Sequence, residues 1–377
     1  MKILCVCISF FVLGLYNYSI AQILLKNTSL NSSLIGGYSF APNRVEKTDE
    51  SLDGWIRGFE IGIYKQVNGT KFWHQTLGMP RVGLNFQTIF MNKPDTFGFT
   101  FAVLPTIQLR LLTFKNAEIA GKIAIGGAYA SKAFKRITNF DNRAISMPLN
   151  FALEFGLVYN QHLFKKLEFN TEVGYYHVSN GSFMMPNGGF NIYYLKGGFS
   201  YFLYDTPYKK RTPYLIKTND NRAFYTAYFA GAYREQGTFA YRRQFPIFTF
   251  HQAYLKPLNK IYAVGVGLDL FYDATHALIG NSNLLASQVQ ESDKWLSAIG
   301  FCNELSIGKF AIPLEFYHYI YDLSVVKQPL YLRFGLTYKT YQNVYFGCYF
   351  KGSVNKYKSL ESDFMEFAVG YQFKKKK

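Results

Sequence analysis

The sequence predicts an all-β protein: a transmembrane, antiparallel β-barrel of the outer-membrane kind, with about 14–16 strands. Three observations carry this expectation. Apolar and polar residues alternate with period two along almost the whole chain. After the N-terminal leader there is no run of about 18 apolar residues, so no transmembrane helix is encoded. Aromatic residues are abundant, with 37 Phe and 31 Tyr in 377 residues, yet mean hydropathy is only -0.05. A barrel wall produces that combination, because only every second residue meets lipid and aromatic side chains gather at its rims.

The first 21 residues, ending "LYNYSIA", carry Lys2, an apolar run and small residues before Gln22, the pattern of a secretory signal peptide with cleavage after Ala21. Cys5 and Cys7 belong to that leader. The remaining Cys302 and Cys348 do not make a disulfide framework and read as one bond or two thiols.

The strands follow in order near residues 32–41, 54–65, 80–90, 96–110, 115–130, 147–159, 166–178, 189–203, 222–235, 238–254, 261–273, 294–305, 308–320, 329–340, 342–351 and 361–374. In the third, Val82, Leu84, Phe86, Thr88 and Phe90 share one face, and Arg81, Gly83, Asn85 and Gln87 the other. In the seventh, Leu167, Phe169, Thr171, Val173 and Tyr175 oppose Glu168, Asn170, Glu172 and Gly174. In the eleventh, Tyr262, Val264, Val266, Leu268 and Leu270 oppose Ala263, Gly265, Gly267 and Asp269. In the fourteenth, Leu330, Leu332, Phe334, Leu336 and Tyr338 oppose Arg333, Thr337 and Lys339. The last sets Met365, Phe367, Val369, Tyr371 and Phe373 against Glu366 and Gln372. A soluble sandwich alternates too, with its apolar face inward. The absence of a helical layer, strands longer than about nine residues and an amphipathic final strand able to close a barrel favour the membrane. There the apolar set faces lipid and the polar set faces the lumen.

If the first strand leaves the periplasm, the odd connections are extracellular. Among them 42–53, 131–146, 179–188, 274–293 and 352–360 are mostly long and polar, while even connections such as 111–114 and 306–307 are short, as in outer-membrane barrels. Two even connections depart from this, "NGTKFWHQTLGM" at 68–79 and "DTPYKKRTPYLIKTNDN" at 205–221. The second divides the chain into a first half, 22–203, a polar connection, 204–221, and a second strand-rich half, 222–377, expected to complete the same barrel rather than form another. The net charge of +17 in an exported chain excludes nucleic acid as the natural partner. It leaves lipid phosphate or lipopolysaccharide, or a generally basic proteome.

One strand end carries candidate chemistry. In "KLEFNTEVGYYHVSN" the apolar stripe through Tyr175 continues into His177 and Ser179. Both therefore point outward at the extracellular rim. Residues i and i+2 share a face roughly 7 Å apart, close enough for an imidazole to take the proton of a serine hydroxyl. A third group should orient the ring, and Asn191, outward on the next strand, is the cross-strand candidate. Asn180, Asn187 and the glycines around them offer amides for an oxyanion. The bland alternative is a solvated polar rim.

The segment "HVSNGSFMMPNGGFNIYYLKGGFSY" resembles the signature of the outer-membrane lipid A 3-O-deacylase family, broadly the acyloxyacyl hydrolases: His-x-Ser-Asn, then Pro-Asn-x-Gly, then an outward residue on the following strand. The resemblance covers residues 30–203 and is most specific from 175 to 200; "FWHQTLGMPRVGLNF" is also similar to long homologues from Bacteroidota-like bacteria. It implies a Gram-negative outer-membrane esterase removing an acyl chain from lipid A, with Ser179 as nucleophile, His177 as base, and Asn180 and Asn187 supporting the site or its oxyanion. Two departures stand out. The family's acidic third member is a glutamate where this chain has Asn191, and the compact family barrel has half as many strands. The resemblance assigns no role to His74.

Lys132, Lys135, Arg136 and Arg143 in the adjacent loop meet lipid phosphate or are simply solvated. Phe183, Met184 and Met185 contact an acyl chain or anchor the loop. No metal-binding cluster, phosphate-binding glycine loop or dinucleotide fingerprint is present, and serine hydrolysis requires no cofactor. The alternative is an inactive porin-like channel or structural barrel, in which Asp269, Arg333, Lys339 and Glu366 line a pore. In an enzyme they form a satisfied plug.

Overall fold

A computed structural model describes residues 25–41, 52–204, 222–237, 242–275, 290–322, 329–354 and 360–374. The leader, the whole of the 205–221 connection and parts of several long loops lie outside the described residues.

Among the described residues sixteen antiparallel strands form, matching the sixteen candidate segments in order: β1 (Thr28–Phe40), β2 (Gly54–Gln66), β3 (Arg81–Phe90), β4 (Phe99–Thr113), β5 (Ala117–Ala130), β6 (Leu149–Phe164), β7 (Leu167–Ser179), β8 (Phe190–Phe202), β9 (Phe224–Gly237), β10 (Arg242–Pro257), β11 (Tyr262–Asp273), β12 (Trp295–Ile307), β13 (Phe310–Tyr321), β14 (Leu330–Lys339), β15 (Val344–Val354) and β16 (Leu360–Lys374). The connection after β2 contains a short helix, α1 (Phe72–Thr76), which period-two reading does not detect. Among the described residues no helix is long and apolar enough to cross a membrane.

The expectation of a single barrel of 14–16 strands is corrected. The sheet closes twice, β1 to β8 forming one barrel and β9 to β16 another. β8 returns to β1 over the register from Ser29 opposite Phe202 to Phe40 opposite Asn191. β16 returns to β9 from Phe367 opposite Gly231 to Lys374 opposite Phe224. The second half therefore completes its own barrel.

The physical reason lies in the lumens. An eight-stranded barrel is just wide enough to be filled by side chains, and each half contains complementary charges that fill it. In the first, Lys122 Nζ lies 2.6 Å from Glu154 and 3.1 Å from Glu172. Lys196 Nζ lies 2.7 Å from Glu60, 2.8 Å from Glu154 and 2.7 Å from the Gln87 amide oxygen. In the second, the Arg333 guanidinium reaches Asp269 at 2.7 Å, Glu366 at 3.0 Å and Glu315 at 3.2 Å, and His251 Nδ1 meets Asp269 at 2.7 Å. Every partner of these charges comes from its own half. A sixteen-stranded ring would hold the same groups apart across water. Asp269, Arg333 and Glu366 thus belong to an interior network, and Lys339 pairs with Glu304 at 2.5 Å.

The alternation sets orientation as expected. Arg81, Asn85 and Gln87 are buried in the lumen while Phe86 and Phe90 are exposed. Arg333 and Thr337 are buried while Leu330 and Tyr338 are exposed. The exposed set, including Leu34, Trp55, Leu157, Phe229, Val266 and Phe301, forms an apolar outer wall on both barrels. Cys302 and Cys348 are both free: Cys302 is in the lumen against the Tyr317 hydroxyl, whereas Cys348 follows Phe346 by two residues on the outward stripe of β15.

Candidate active site

β7 runs towards the end of the first barrel that carries the loops 91–98, 131–148 and 180–189, and stops at Ser179. Its outward residues are odd-numbered: Phe169, Thr171, Val173, Tyr175, His177 and Ser179, with Glu168, Asn170, Glu172, Tyr176 and Val178 buried inside. The structure brings together the three residues singled out above. His177 Nε2 lies 2.9 Å from Ser179 Oγ, and His177 Nδ1 lies 2.8 Å from Asn191 Oδ1. Asn191 reaches the ring because it stands directly opposite His177 in the β7–β8 register, where paired side chains share a face.

The surrounding hydrogen bonds fix which way the asparagine and the histidine are turned. The Asn191 amide nitrogen is directed at the carbonyls of Gly188 and Gly189, each 3.4 Å away, which can only accept. Its oxygen therefore faces His177, and it also accepts a hydrogen bond from the Tyr175 hydroxyl at 2.6 Å. An acceptor at Nδ1 places the imidazole proton there, leaving Nε2 as the base towards Ser179. Tyr175 was not among the expected site residues. The signal was its place two residues before His177 on the same stripe, where its ring stacks beside the imidazole at 6.4 Å.

The loop 180–189 closes over this chain of groups. Gly189 has φ +75°, and a Cβ there would lie 2.7 Å from His177 Cε1, so the residue must be glycine both for its backbone and for the ring packed on it. Asn180 is turned into the loop. Its amide donates to Ser146 Oγ at 2.8 Å and to the Met184 carbonyl at 3.0 Å. Its backbone N–H donates to Asn187 Oδ1 at 3.0 Å, which leaves the Asn187 amide nitrogen as the free end of that side chain. The 131–148 loop supports the same segment, Gly188 and Gly189 donating to the carbonyls of Arg143 and Ala144.

Lys132, Lys135 and Arg136 are exposed on the 131–148 loop, on the Ser179 end of the barrel, and none hydrogen-bonds to the three central groups. His74 is on α1 at the other end. Burial, with Lys71 beside it, holds its imidazole pKa below the usual value. One cluster able to hold a metal is found among the described residues, His251, Cys302 and Glu315 inside the second barrel. It is remote from Ser179 in the fold, and Glu315 there already meets Arg333.

A family model described as "Lipid A 3-O-deacylase (PagL)" matches residues 57–200. A second, described as "Acyloxyacyl hydrolase, C-terminal domain", matches residues 223–375. Each falls on one barrel, and the break between them coincides with the connection between barrels. The chain belongs to the PagL lipid A 3-O-deacylase and acyloxyacyl hydrolase family. Family membership makes it a carboxylic ester hydrolase, and family and fold together make it a protein of the Gram-negative outer membrane. No curated protein matches the sequence. Among solved structures, the outer membrane enzyme PagL is 16% identical over 45% of this chain and 97% of its own, with TM-score 0.30. A Rh. blastica porin mutant is 9% identical over 92% of this chain and 100% of its own, with TM-score 0.18. At those scores neither likeness bears on the activity.

Proposed function

We propose that this protein is a serine esterase that hydrolyses an acyl ester of lipid A in the outer leaflet, with Ser179 as nucleophile, His177 as general base and acid, and Asn191 holding the imidazole. The observation that carries this reading is the unbroken chain Ser179 Oγ, His177 Nε2, His177 Nδ1, Asn191 Oδ1, at 2.9 and 2.8 Å, on the outer face of a barrel, where an acyl ester at the membrane interface would meet it.

In this mechanism His177 Nε2 takes the hydroxyl proton as Ser179 Oγ attacks the ester carbonyl carbon. The C–O bond to the sugar breaks, and the imidazolium returns its proton to the leaving alkoxide. Water then gives a proton to Nε2, attacks the acyl-enzyme and releases the fatty acid, restoring the serine. The free amide nitrogen of Asn187 supplies an oxyanion donor. Asn191 replaces the family's glutamate. It fixes the tautomer but contributes no negative charge, so it orients the ring without stabilising the imidazolium as a carboxylate would. Lys132, Lys135 and Arg136 would offer lipid A phosphates their counter-charge.

The channel alternative fares worse, because the charges that would line a pore are paired inside two side-chain-filled lumens. The direct test is mass spectrometry of lipid A from cells with and without the protein, joined to fatty-acid release from lipopolysaccharide in detergent. Loss of one acyl chain that depends on Ser179 supports the reading. An unchanged lipid A together with ion conductance in a planar bilayer would return the protein to the channel class.

A further inference from the structure

The second barrel packs against the first beside Ser179. Phe151 stands opposite Ser179 in the β6–β7 register, on the same outward face. Its ring meets Phe350 of β15 at 5.7 Å and Phe367 of β16 at 6.4 Å. Two residues beyond the serine, Gly181 has φ +63°, and a Cβ there would lie 2.7 Å from Met365 Cβ. The chain leaving the nucleophile is thus shaped to admit the other barrel. The loop itself is pinned to β9 and β10. Glu235 donates its backbone N–H to the Ser182 carbonyl and accepts the Met185 N–H through its carboxylate. Gln244 donates to the Phe183 carbonyl at 3.4 Å, and Phe183 sets its ring edge-on to Tyr233.

Burial agrees with this placement. Outward residues of an isolated barrel are open, as Val173 (53% exposed) and Tyr193 (61%) are. Ser179 and Met365 are outward by parity yet only 7% and 8% exposed, while Phe367 beside them keeps 58% of its surface open. In a membrane, apolar contact between two barrels gains little over contact with lipid tails, because both are hydrocarbon. The polar loop contacts fix the spacing of the barrels, and the apolar seam below them can exchange one hydrocarbon surface for another at small cost.

We infer that the seam between the barrels is the acyl-chain subsite of the enzyme: Phe350, Met365 and Phe367 of the second barrel, with Phe151 of the first, form the wall against which the substrate's fatty acyl chain lies when its ester reaches Ser179. The second barrel then sets which chain lengths are cleaved. This rests on the serine-esterase reading. It also gives a role to a barrel in which, among the described residues, no outward serine hydrogen-bonds to a histidine.

The test uses the full chain in detergent with p-nitrophenyl esters from butyrate to palmitate. Phe367→Trp and Met365→Trp crowd the seam, and overpacking against the long chain but not the short one should lower the palmitate-to-butyrate ratio of kcat/KM by about tenfold. Heat-modifiable gel mobility checks that the variants fold. A second measurement does not require turnover: a palmitoyl ester bearing a terminal diazirine, photolysed on Ser179→Ala protein, should label β15 and β16 peptides. A ratio equal to the parent's in both folded variants, with label confined to β6–β8, would overturn the subsite while leaving the esterase reading intact. A parent that cleaves none of the esters, nor lipopolysaccharide, would overturn the esterase reading, and the subsite with it.

Discussion

The two barrels are the same architecture put to different use. Each closes eight antiparallel strands around buried ion pairs, Lys122 and Lys196 among three glutamates in one, Arg333 among three carboxylates in the other. Their outer faces part at the seventh strand. β7 ends its outward stripe with Tyr175, His177 and Ser179, whereas β15 runs Phe346, Cys348 and Phe350 in the same direction. The barrel is specified by alternation and by lumen chemistry. In the proposed esterase the reaction would rest on a few polar residues placed where lipid contact would ordinarily demand apolar ones.

The largest expected effect separates the two faces. Ser179→Ala should lower ester cleavage by more than about 10³-fold, with His177→Ala nearly as damaging, since nucleophile and base act as a unit. Ser353→Ala, on the lumen side at the end of β15, should leave the rate near the parent's. Fatty-acid release from lipopolysaccharide measures both, and a folded Ser179→Ala protein with parental activity would end the comparison.

Next comes the shared feature, the filled lumen. Lys122→Met leaves three buried glutamates to Lys196 alone, Arg333→Met leaves three buried carboxylates without that cation, and each should destabilise its barrel by about 3–5 kcal/mol, measured by urea unfolding in detergent micelles. Equal losses would show that both barrels depend on the same device. A neutral Arg333→Met would show that the second is held otherwise.

Smaller effects lie around the imidazole. Asn191→Leu removes the acceptor that fixes the tautomer and should reduce kcat by about 10²-fold. Asn191→Glu restores a carboxylate at that place, so cleavage should hold or rise. A fall on Asn191→Glu as large as that of Asn191→Leu would show that the asparagine is not the orienting group. Smallest is Tyr175→Phe. It removes one hydrogen bond to Asn191 Oδ1, about 1 kcal/mol, and should slow kcat by about fivefold. An intact rate would confine Tyr175 to packing.

Much of this was legible in the sequence. All sixteen strands, the face of each residue and the outward placement of His177, Ser179 and Asn191 follow from period-two alternation, because a strand turns successive side chains to opposite sides whatever it pairs with. The geometry of the candidate site was half legible. His177 and Ser179 are fixed by their spacing on one strand, but Asn191 joins them through a cross-strand register, and Tyr175 enters only because the asparagine oxygen has room for a second donor. Asn180, expected to support the site or its oxyanion, has its side chain tied into the loop by Ser146 and Met184, a contact between loops that no local pattern encodes.

By itself, then, the sequence determined local matters: strand periodicity, the lipid-facing and lumen-facing sets, and a serine and histidine side by side at a rim. Tertiary structure alone decided that the sheet closes after eight strands. Closure depends on β8 finding β1 across more than half the first half's length, and on Lys196 meeting Glu60 and Glu154 across the lumen. It also decided that a second barrel stands beside Ser179, through Phe350, Met365 and Phe367. Those pairings join residues far apart in the chain, and alternation, which repeats every two residues, holds no information about them.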